Sequence, residues 1–365
     1  MADGGSARGM RGYFYALMTD RRHSPADVFL QGALWVLSLV YGAGVRILAG
    51  GYKKKFFFPY RADCKVISIG NITVGGTGKT PASLLIAKLL EAQGRRVAVL
   101  IRGYGADEYL MLQEELPECA ILSGSDRITN ARRAFYDFGA DTVILDDGFQ
   151  HWKIHRDLDI VLLDATNPFG NYRLLPRGIL REPPQELTRA DIIMLTKVDS
   201  PAARCDEAYG VIARLGKEHE VVEAVYRPLE LYEIALSIHP GAVKSKGGKP
   251  VGLRSIHGKR IALMASIGNP GYFRQNLERL GAVVDMEFIF MDHYDYRSSD
   301  LYRIERECRA VGIETIVVTK KDAVKIARLA LRERLAVPIL VLDVAFTIVK
   351  NRKVLDEGLS RLYSR

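Results

Sequence analysis

The chain of 365 residues is 48% apolar, enough for packed cores in two domains of ordinary size, and this excludes an intrinsically disordered protein. A formal charge of +9 and an isoelectric point near 9.3 suggest an anionic partner, which nucleic acid, a phospholipid surface and a phosphorylated substrate would satisfy equally. Four cysteines, Cys64, Cys119, Cys205 and Cys308, stand far apart without a C-x-x-C pair, so zinc and a disulfide framework are not indicated and a reducing cytosolic setting fits.

Residues 28–45, "VFLQGALWVLSLVYGAGV", run without a charge at close to membrane-spanning length. Ser24 as N-cap, Pro25 at the first helical position and Asp27 in the first turn start a helix there. Its flanks are basic, with Arg8, Arg11, Arg21 and Arg22 before it and Arg46, Lys53, Lys54, Lys55 and Arg61 after. That pattern suits a helix lying in or dipping into an anionic cytoplasmic leaflet, and "KKKFFFPY" suits a headgroup boundary. A buried core helix is the alternative.

From Lys65 onward, short continuous apolar runs at 65–70, 96–101, 141–147, 158–164 and 191–196 predict strands buried on both faces, hence an α/β region with a mainly parallel sheet. "PASLLIAKLLEAQG" predicts an amphipathic helix ending at Gly94. Residues 239–259, rich in Gly, Lys and Pro, predict a linker or exposed loop. Strands return at 260–265, 283–290, 314–320 and 338–343, with a helix at 271–280, so a second, smaller α/β lobe is expected and the nucleotide cleft is expected between the lobes.

"TVGGTGKTP" at 73–81 follows a strand and opens a helix, the context that a Walker A phosphate loop requires, although Thr73 stands where the pattern has glycine. Gly75, Gly76 and Gly78 allow backbone N–H groups around Thr77 to turn toward a polyphosphate, Lys79 can reach its β and γ groups, and Thr80 can ligate magnesium. The strand at 141–147 delivers Asp146 and Asp147 at its C-terminal end, as a Walker B strand does for magnesium. A GTPase would carry N-K-x-D, which "TKVD" at 196–199 nearly matches, and a partitioning ATPase would carry a lysine at Val74. Neither rival fits cleanly.

Together with "RGYG" 102–105, "DDGFQH" 146–151, "RDLDIVLLDATNPFGNYRLLPRGILREP" 156–183, "SIGNPGYF" 266–273, "FMDHYDY" 290–296 and "TKKDAVK" 319–325, the loop resembles the tetraacyldisaccharide 4'-kinases. These ATP- and magnesium-dependent enzymes phosphorylate the lipid A precursor at the cytoplasmic face of the inner membrane. The resemblance extends from the apolar helix to near the C-terminus and makes Thr73 a family variant.

What the resemblance implies is specific. Asp107 in "GADEYL" corresponds to the family's catalytic base and His293 in "MDHY" to its partner, with Lys79 assisting on the phosphoryl oxygens. Arg127 in "SDR" resembles an arginine near the γ-phosphate, and Arg102 and Tyr104 resemble residues on the substrate side. Gln150 and His151 follow the acid pair and are expected to line the site. Arg173, Arg177 and Arg181 suit bidentate contact with the substrate's existing phosphate.

The expected organisation is an N-terminal segment 1–64 with a membrane helix at about 25–48, a P-loop kinase core 65–238, the linker 239–259 and a C-terminal lobe 260–365. The expected reaction moves the γ-phosphate of ATP to the 4'-hydroxyl of a tetraacylated disaccharide monophosphate, with neither nucleic acid nor an obligate protein partner. The alternative is a membrane-associated P-loop ATPase or GTPase switch that acts on a protein.

Overall fold

The computed structural model describes residues 10–103, 106–234, 248–329 and 335–364, which group into two compact units. One unit, called here the phosphate-loop unit, takes 10–103, 116–225 and 346–364; the second takes 106–115, 226–234, 248–329 and 335–345.

The phosphate-loop unit opens with α1 (Met10–Met18) and α2 (Pro25–Lys53). Ser24 caps α2 by accepting from the Asp27 N–H, while the Asp27 carboxylate accepts from the Ser24 N–H at 3.1 Å, so two otherwise unpaired donors are satisfied reciprocally. Asp27 also accepts from Tyr13 Oη of α1 at 2.6 Å, which ties the two helices together. α2 buries a narrow stripe, Leu34, Ser38, Gly42 and Ala49, and a Cβ added at Gly42 would sit 2.8 Å from Leu174 Cδ1. Elsewhere it is open: Phe29, Val40 and Ile47 are 82%, 68% and 74% exposed. Among the described residues, α2 alone is long and apolar enough to cross a membrane.

Next come β1 (Lys65–Asn71), α3 (Lys79–Glu91) and β2 (Val97–Ile101); then, in the second unit, α4 (Ala106–Glu115); then β3 (Ala120–Ser123), α5 (Arg127–Tyr136), β4 (Thr142–Asp146), β5 (Leu158–Asp164), β6 (Ile192–Thr196) and α6 (Cys205–Ala213). β7 (Val221–Glu233) begins in the phosphate-loop unit and ends in the second. The strand order here is β3-β2-β4-β1-β5-β6-β7, all parallel, and β1, β2, β4, β5 and β6 are buried along nearly their whole length, which is why they read as unbroken apolar runs. β1 lies between β4 and β5, so the chain leaves it in one direction for β2 and later fills the other side with β5. Ligands of such sheets bind beyond the strand ends at this reversal. Ile69 registers with Asp146, which sets the acid level with the start of the loop after β1.

The second unit orders its strands β7-β11-β10-β8-β9, from β8 (Arg260–Ala265), β9 (Val283–Ile289), β10 (Ile316–Thr319) and β11 (Ile339–Lys350). α7 (Pro270–Arg279), α8 (Ser298–Ala310) and α9 (Lys320–Ile326) connect them, and β11 runs back into the phosphate-loop unit, where α10 (Arg352–Arg361) follows. Each unit has its own cores, around Ile72, Phe149 and Leu163 and around Val66, Leu100 and Leu145 in the first, and around Met264, Ile304 and Val318 and around Leu263, Phe273 and Val317 in the second.

Two features depart from the linear reading. Residues 346–364, expected in the second lobe, belong to the phosphate-loop unit, where Gly358 fits against Ile192 of β6 and Tyr363 Oη lies 2.5 Å from Thr142 Oγ1. Conversely α4 follows β2 in sequence yet groups with the second unit, where its Glu115 and the Asp343 carboxylate both pair with Lys320 of α9. The expected loop at 239–259 falls partly outside the described residues; its part from 248 on contains a short 3-10 turn at Leu253–Ile256.

Candidate active site

The loop after β1 is held on three sides. Thr73 forms an antiparallel bridge with Leu180 and is only 2% exposed, while Val74 N–H donates to Ile179 O at 2.8 Å. Its backbone is that of an extended strand residue, for which threonine is well suited and glycine unnecessary. The turn proper lies beyond: Gly75 and Gly78 have φ of 120° and 97°, and no atom lies within 4 Å of a Cβ built at Gly75. Inside the loop, Asn71 Nδ2 donates to Thr77 Oγ1 at 2.9 Å. From β6, Thr196 Oγ1 donates to Thr77 O at 3.0 Å, and Lys197 Nζ to Gly76 O at 2.7 Å and to Asp164. "TKVD", a near match to a guanine-reading motif, thus serves here to brace the phosphate loop. The bracing by Thr196 and Lys197 escaped the sequence reading because their partners, Thr77 O and Gly76 O, are backbone atoms distant in sequence, while Asn71 and Asp164 act on the Thr77 and Lys197 side chains.

The two acids have different surroundings. Asp146 Oδ2 accepts from Thr80 Oγ1 at 2.9 Å and Oδ1 from Ser83 Oγ at 3.2 Å; complete burial pushes its carboxyl up, against the pull of Lys79 and Thr80. Asp147 has φ of 57°, unusual for a residue with a side chain, and faces Lys79 at 3.6 Å and Arg181 Nη1 at 2.8 and 2.9 Å. Burial works to raise its carboxyl, but Lys79 and Arg181 outweigh that and hold it below the ordinary range. A Cβ at Gly70 would approach Phe149 Cβ to 2.5 Å, so this close approach of β1 to the turn 147–149 needs glycine.

The other expected residues are placed as follows. Arg127, 4% exposed, donates to the backbone carbonyls of Leu100 and Asp146, joining the ends of β2 and β4. Gln150 donates to Asn71 O at 2.8 Å and accepts from Arg181 at 3.3 Å. His151 is half-buried with Nε2 unpaired, and burial together with Arg127, Arg156, Lys153 and Arg102 pushes the imidazole down to about 4, so it is neutral at pH 7. Arg177 bonds Asp20 at 2.5 Å, on the turn between α1 and α2. Arg102 and Arg173 are exposed, and Tyr104 lies outside the described residues.

In the second unit, Asp107 and His293 come together. His293 Nδ1 lies 3.2 Å from both carboxylate oxygens of Asp107, which is 3% exposed, and His293 itself adopts φ of 61°. Burial would raise the Asp107 carboxyl, yet the His293 hydrogen bond and the charges of Lys321, His293 and Lys325 bring it down to about 2. Reciprocally, the bond to Asp107 raises the imidazole. Lys321 and Lys325 carry no role in the sequence reading, although the i, i+4 spacing in "KDAVK" already places them on one helix face.

The phosphate-loop geometry fits a magnesium nucleotide: open space at Gly75, Lys79 beside an acid, and a Thr80 hydroxyl already directed at Asp146. The sequence model of the family described as LpxK, tetraacyldisaccharide-1-P 4'-kinase, matches residues 30–363. The chain belongs to this kinase family. The tetraacyldisaccharide 4'-kinase of Syntrophus aciditrophicus (strain SB) is 40% identical, over 86% of this chain and 88% of its own length. That of Anaeromyxobacter dehalogenans (strain 2CP-C) is 37% identical, over 85% of each chain. The crystal structure of LpxK from Aquifex aeolicus in complex with ATP, 27% identical, superposes with a TM-score of 0.66 over 92% of this chain and 100% of that one. As a member of this family the chain is a lipid kinase with an α/β phosphate-loop fold.

Proposed function

We propose that this chain moves the γ-phosphoryl group of ATP to the 4'-hydroxyl of a tetraacyldisaccharide 1-phosphate, in lipid A biosynthesis, at the cytoplasmic face of the inner membrane. In this reading the loop 73–80 holds the polyphosphate through its backbone N–H groups and Lys79, and Thr80 with Asp146 and Asp147 holds magnesium. When bound, MgATP supplies the phosphoryl group and the divalent charge that offsets its oxygens.

The observation that carries the reading is the Asp107–His293 pair. A carboxylate held at about 2 is a weak base toward a free sugar hydroxyl. In a loose phosphoryl-transfer transition state the hydroxyl loses its proton late, once its oxygen is bonding to phosphorus and has become acidic. Asp107 is ionised throughout the neutral range and can take that proton, and His293 orients it. A hydrolysing switch would not need such a pair.

Arg181 serves by holding Asp147, and Arg127 by fixing the strand ends that carry the acids. Arg102 and Arg173 are assigned to the substrate's existing phosphate, Tyr104, Gln150 and His151 to the substrate side of the site, and Arg177 ties the loop 171–181 to the turn before α2. Association with the leaflet is supported by the exposed apolar face of α2, and by Lys53 to Lys55 running into Phe56 and Phe58, 74% and 80% exposed.

Incubation with labelled ATP and the lipid disaccharide in detergent tests the function. Label should appear in the lipid; label found only as free phosphate would overturn the kinase reading in favour of a switch. Asp107→Ala should abolish transfer while nucleotide binding persists.

A further inference from the structure

We infer that Lys321 and Lys325 of α9 are positioning residues that clamp the Asp107 carboxylate for its partnership with His293. The inference rests on Asp107 being the proton acceptor, and it gives a function to "TKKDAVK", which the proposed mechanism leaves without one.

The two ammonium groups stand one helical turn apart and converge on a single oxygen: Lys321 Nζ is 3.8 Å and Lys325 Nζ 3.7 Å from Asp107 Oδ2. Both are largely enclosed, with side chains 19% and 10% exposed. Each is held by a different set of groups. Lys325 Nζ donates to Ser266 Oγ at 2.5 Å and lies 5.2 Å from the Tyr296 ring. Ser266 is fixed in turn by Asp322, a fully buried carboxylate that accepts from Ser266 N and Oγ, Tyr296 Oη and Thr319 Oγ1. A carboxylate gripped by that many donors is held in place, so Lys325 is mounted on a rigid base.

Lys321 faces the imidazole side. Its Nζ donates to Asp292 Oδ1 at 3.1 Å, lies 3.7 Å from Glu108 and stands 3.4 Å from His293 Nε2. The charged groups around Asp107 are therefore Glu108 on α4, Asp292 and His293 on the segment after β9, and Lys321, Asp322 and Lys325 on α9. Imidazole holds one edge of the carboxylate by hydrogen bonding while the lysines oppose its rotation by charge. The Lys321 charge, 3.4 Å from Nε2, opposes part of the rise that the Asp107 hydrogen bond gives the His293 imidazole.

The test compares Lys325→Met and Lys321→Met with the parent in a steady-state transfer assay across pH, after thermal melts have verified folding. Loss of positioning should lower kcat on the order of tenfold to a hundredfold with KM for ATP nearly unchanged. The acidic limb of kcat should move to higher pH, because Asp107 loses a neighbouring cation, and Lys321→Arg should restore it. A purely structural lysine would lower the melting temperature and leave the limb in place, and that result overturns the inference. NMR titration of His293 gives a readout apart from activity: its pKa should rise in Lys321→Met and fall in Asp107→Asn, and an unmoved imidazole in Lys321→Met overturns the inference equally. Full transfer by Asp107→Asn would instead overturn the proton-acceptor assignment, whatever the lysine variants do. Normal kcat and an unmoved limb in the lysine variants beside an inactive Asp107→Asn overturn the clamp alone.

Discussion

A glycine placed at Thr73 would complete the standard phosphate-loop pattern and should nevertheless weaken the protein. Thr73 is a buried, extended residue bridged to Leu180, and glycine there adds backbone freedom to the unfolded chain without a turn that needs it. Thr73→Gly should cost about 1 kcal/mol in denaturant unfolding with no gain in ATP affinity, whereas a gain would show that the loop's first position is a true turn. A second expectation follows from Asp107 and His293. The Asp107 carboxyl is held down to about 2, so its contribution to folding is present above the ordinary value of about 3.9 and is lost as pH falls toward about 2. The His293 imidazole is held up, so its contribution is complete below about 6.5 and is lost as pH rises through its elevated value. Thermal melts of the parent and Asp107→Asn should therefore differ most between about pH 4 and 6.5 and less at higher pH. Motifs that act through consecutive residues, such as Lys79, Thr80, Asp146 and Asp147, could be read from sequence. Residues that act by bracing a distant backbone, such as Thr196, Lys197 and Arg127, carry no local pattern that tells a brace from a ligand.

At the scale of elements, α2 presents the clearest asymmetry. Its narrow buried stripe meets the loop around Leu174, and Tyr41 Oη donates to Arg181 O at 2.9 Å, while Phe29, Val36, Val40 and Ile47 share an outward face. Replacing these four by serine should leave the melting temperature close to that of the parent, since they are already exposed, yet shift the protein from the membrane fraction to the supernatant on flotation with anionic vesicles. Unchanged flotation would remove α2 as the membrane contact. The strands 65–71, 142–146, 158–164, 192–196 and 260–265 were legible because a strand buried on both faces leaves a continuous apolar run. β7 was not, because Glu223, Arg227, Pro228 and Glu230 interrupt any run, and β3, four residues long, was missed as well. α4 was misplaced for another reason: nothing local in "ADEYLMLQEE" reveals that Glu115 pairs with Lys320 far along the chain.

At the scale of the whole molecule, sequence order and structural grouping disagree. The phosphate-loop unit is built from three stretches, the last of which is 346–364. Leu355 and Leu359 of α10 are fully buried, and the Arg95 guanidinium lies 3.7 Å from the Tyr363 ring centre. Full burial of each leucine contributes about 1.5–3 kcal/mol, so ending the chain after Lys350 removes a large share of the usual 5–15 kcal/mol of domain stability. The truncated chain should lose the rise in melting temperature that MgATP gives the parent; a preserved rise would show that the unit is complete without α10. The late position of α10 also affects biogenesis. A ribosome makes the nucleotide-binding loop early, but the helix that closes the opposite end of that sheet leaves the exit tunnel hundreds of codons later. Throughout that interval the sheet's underside stays uncovered while the apolar α2 is already outside, so early delivery of α2 to a lipid surface would shelter the nascent chain from aggregation until the last helix arrives.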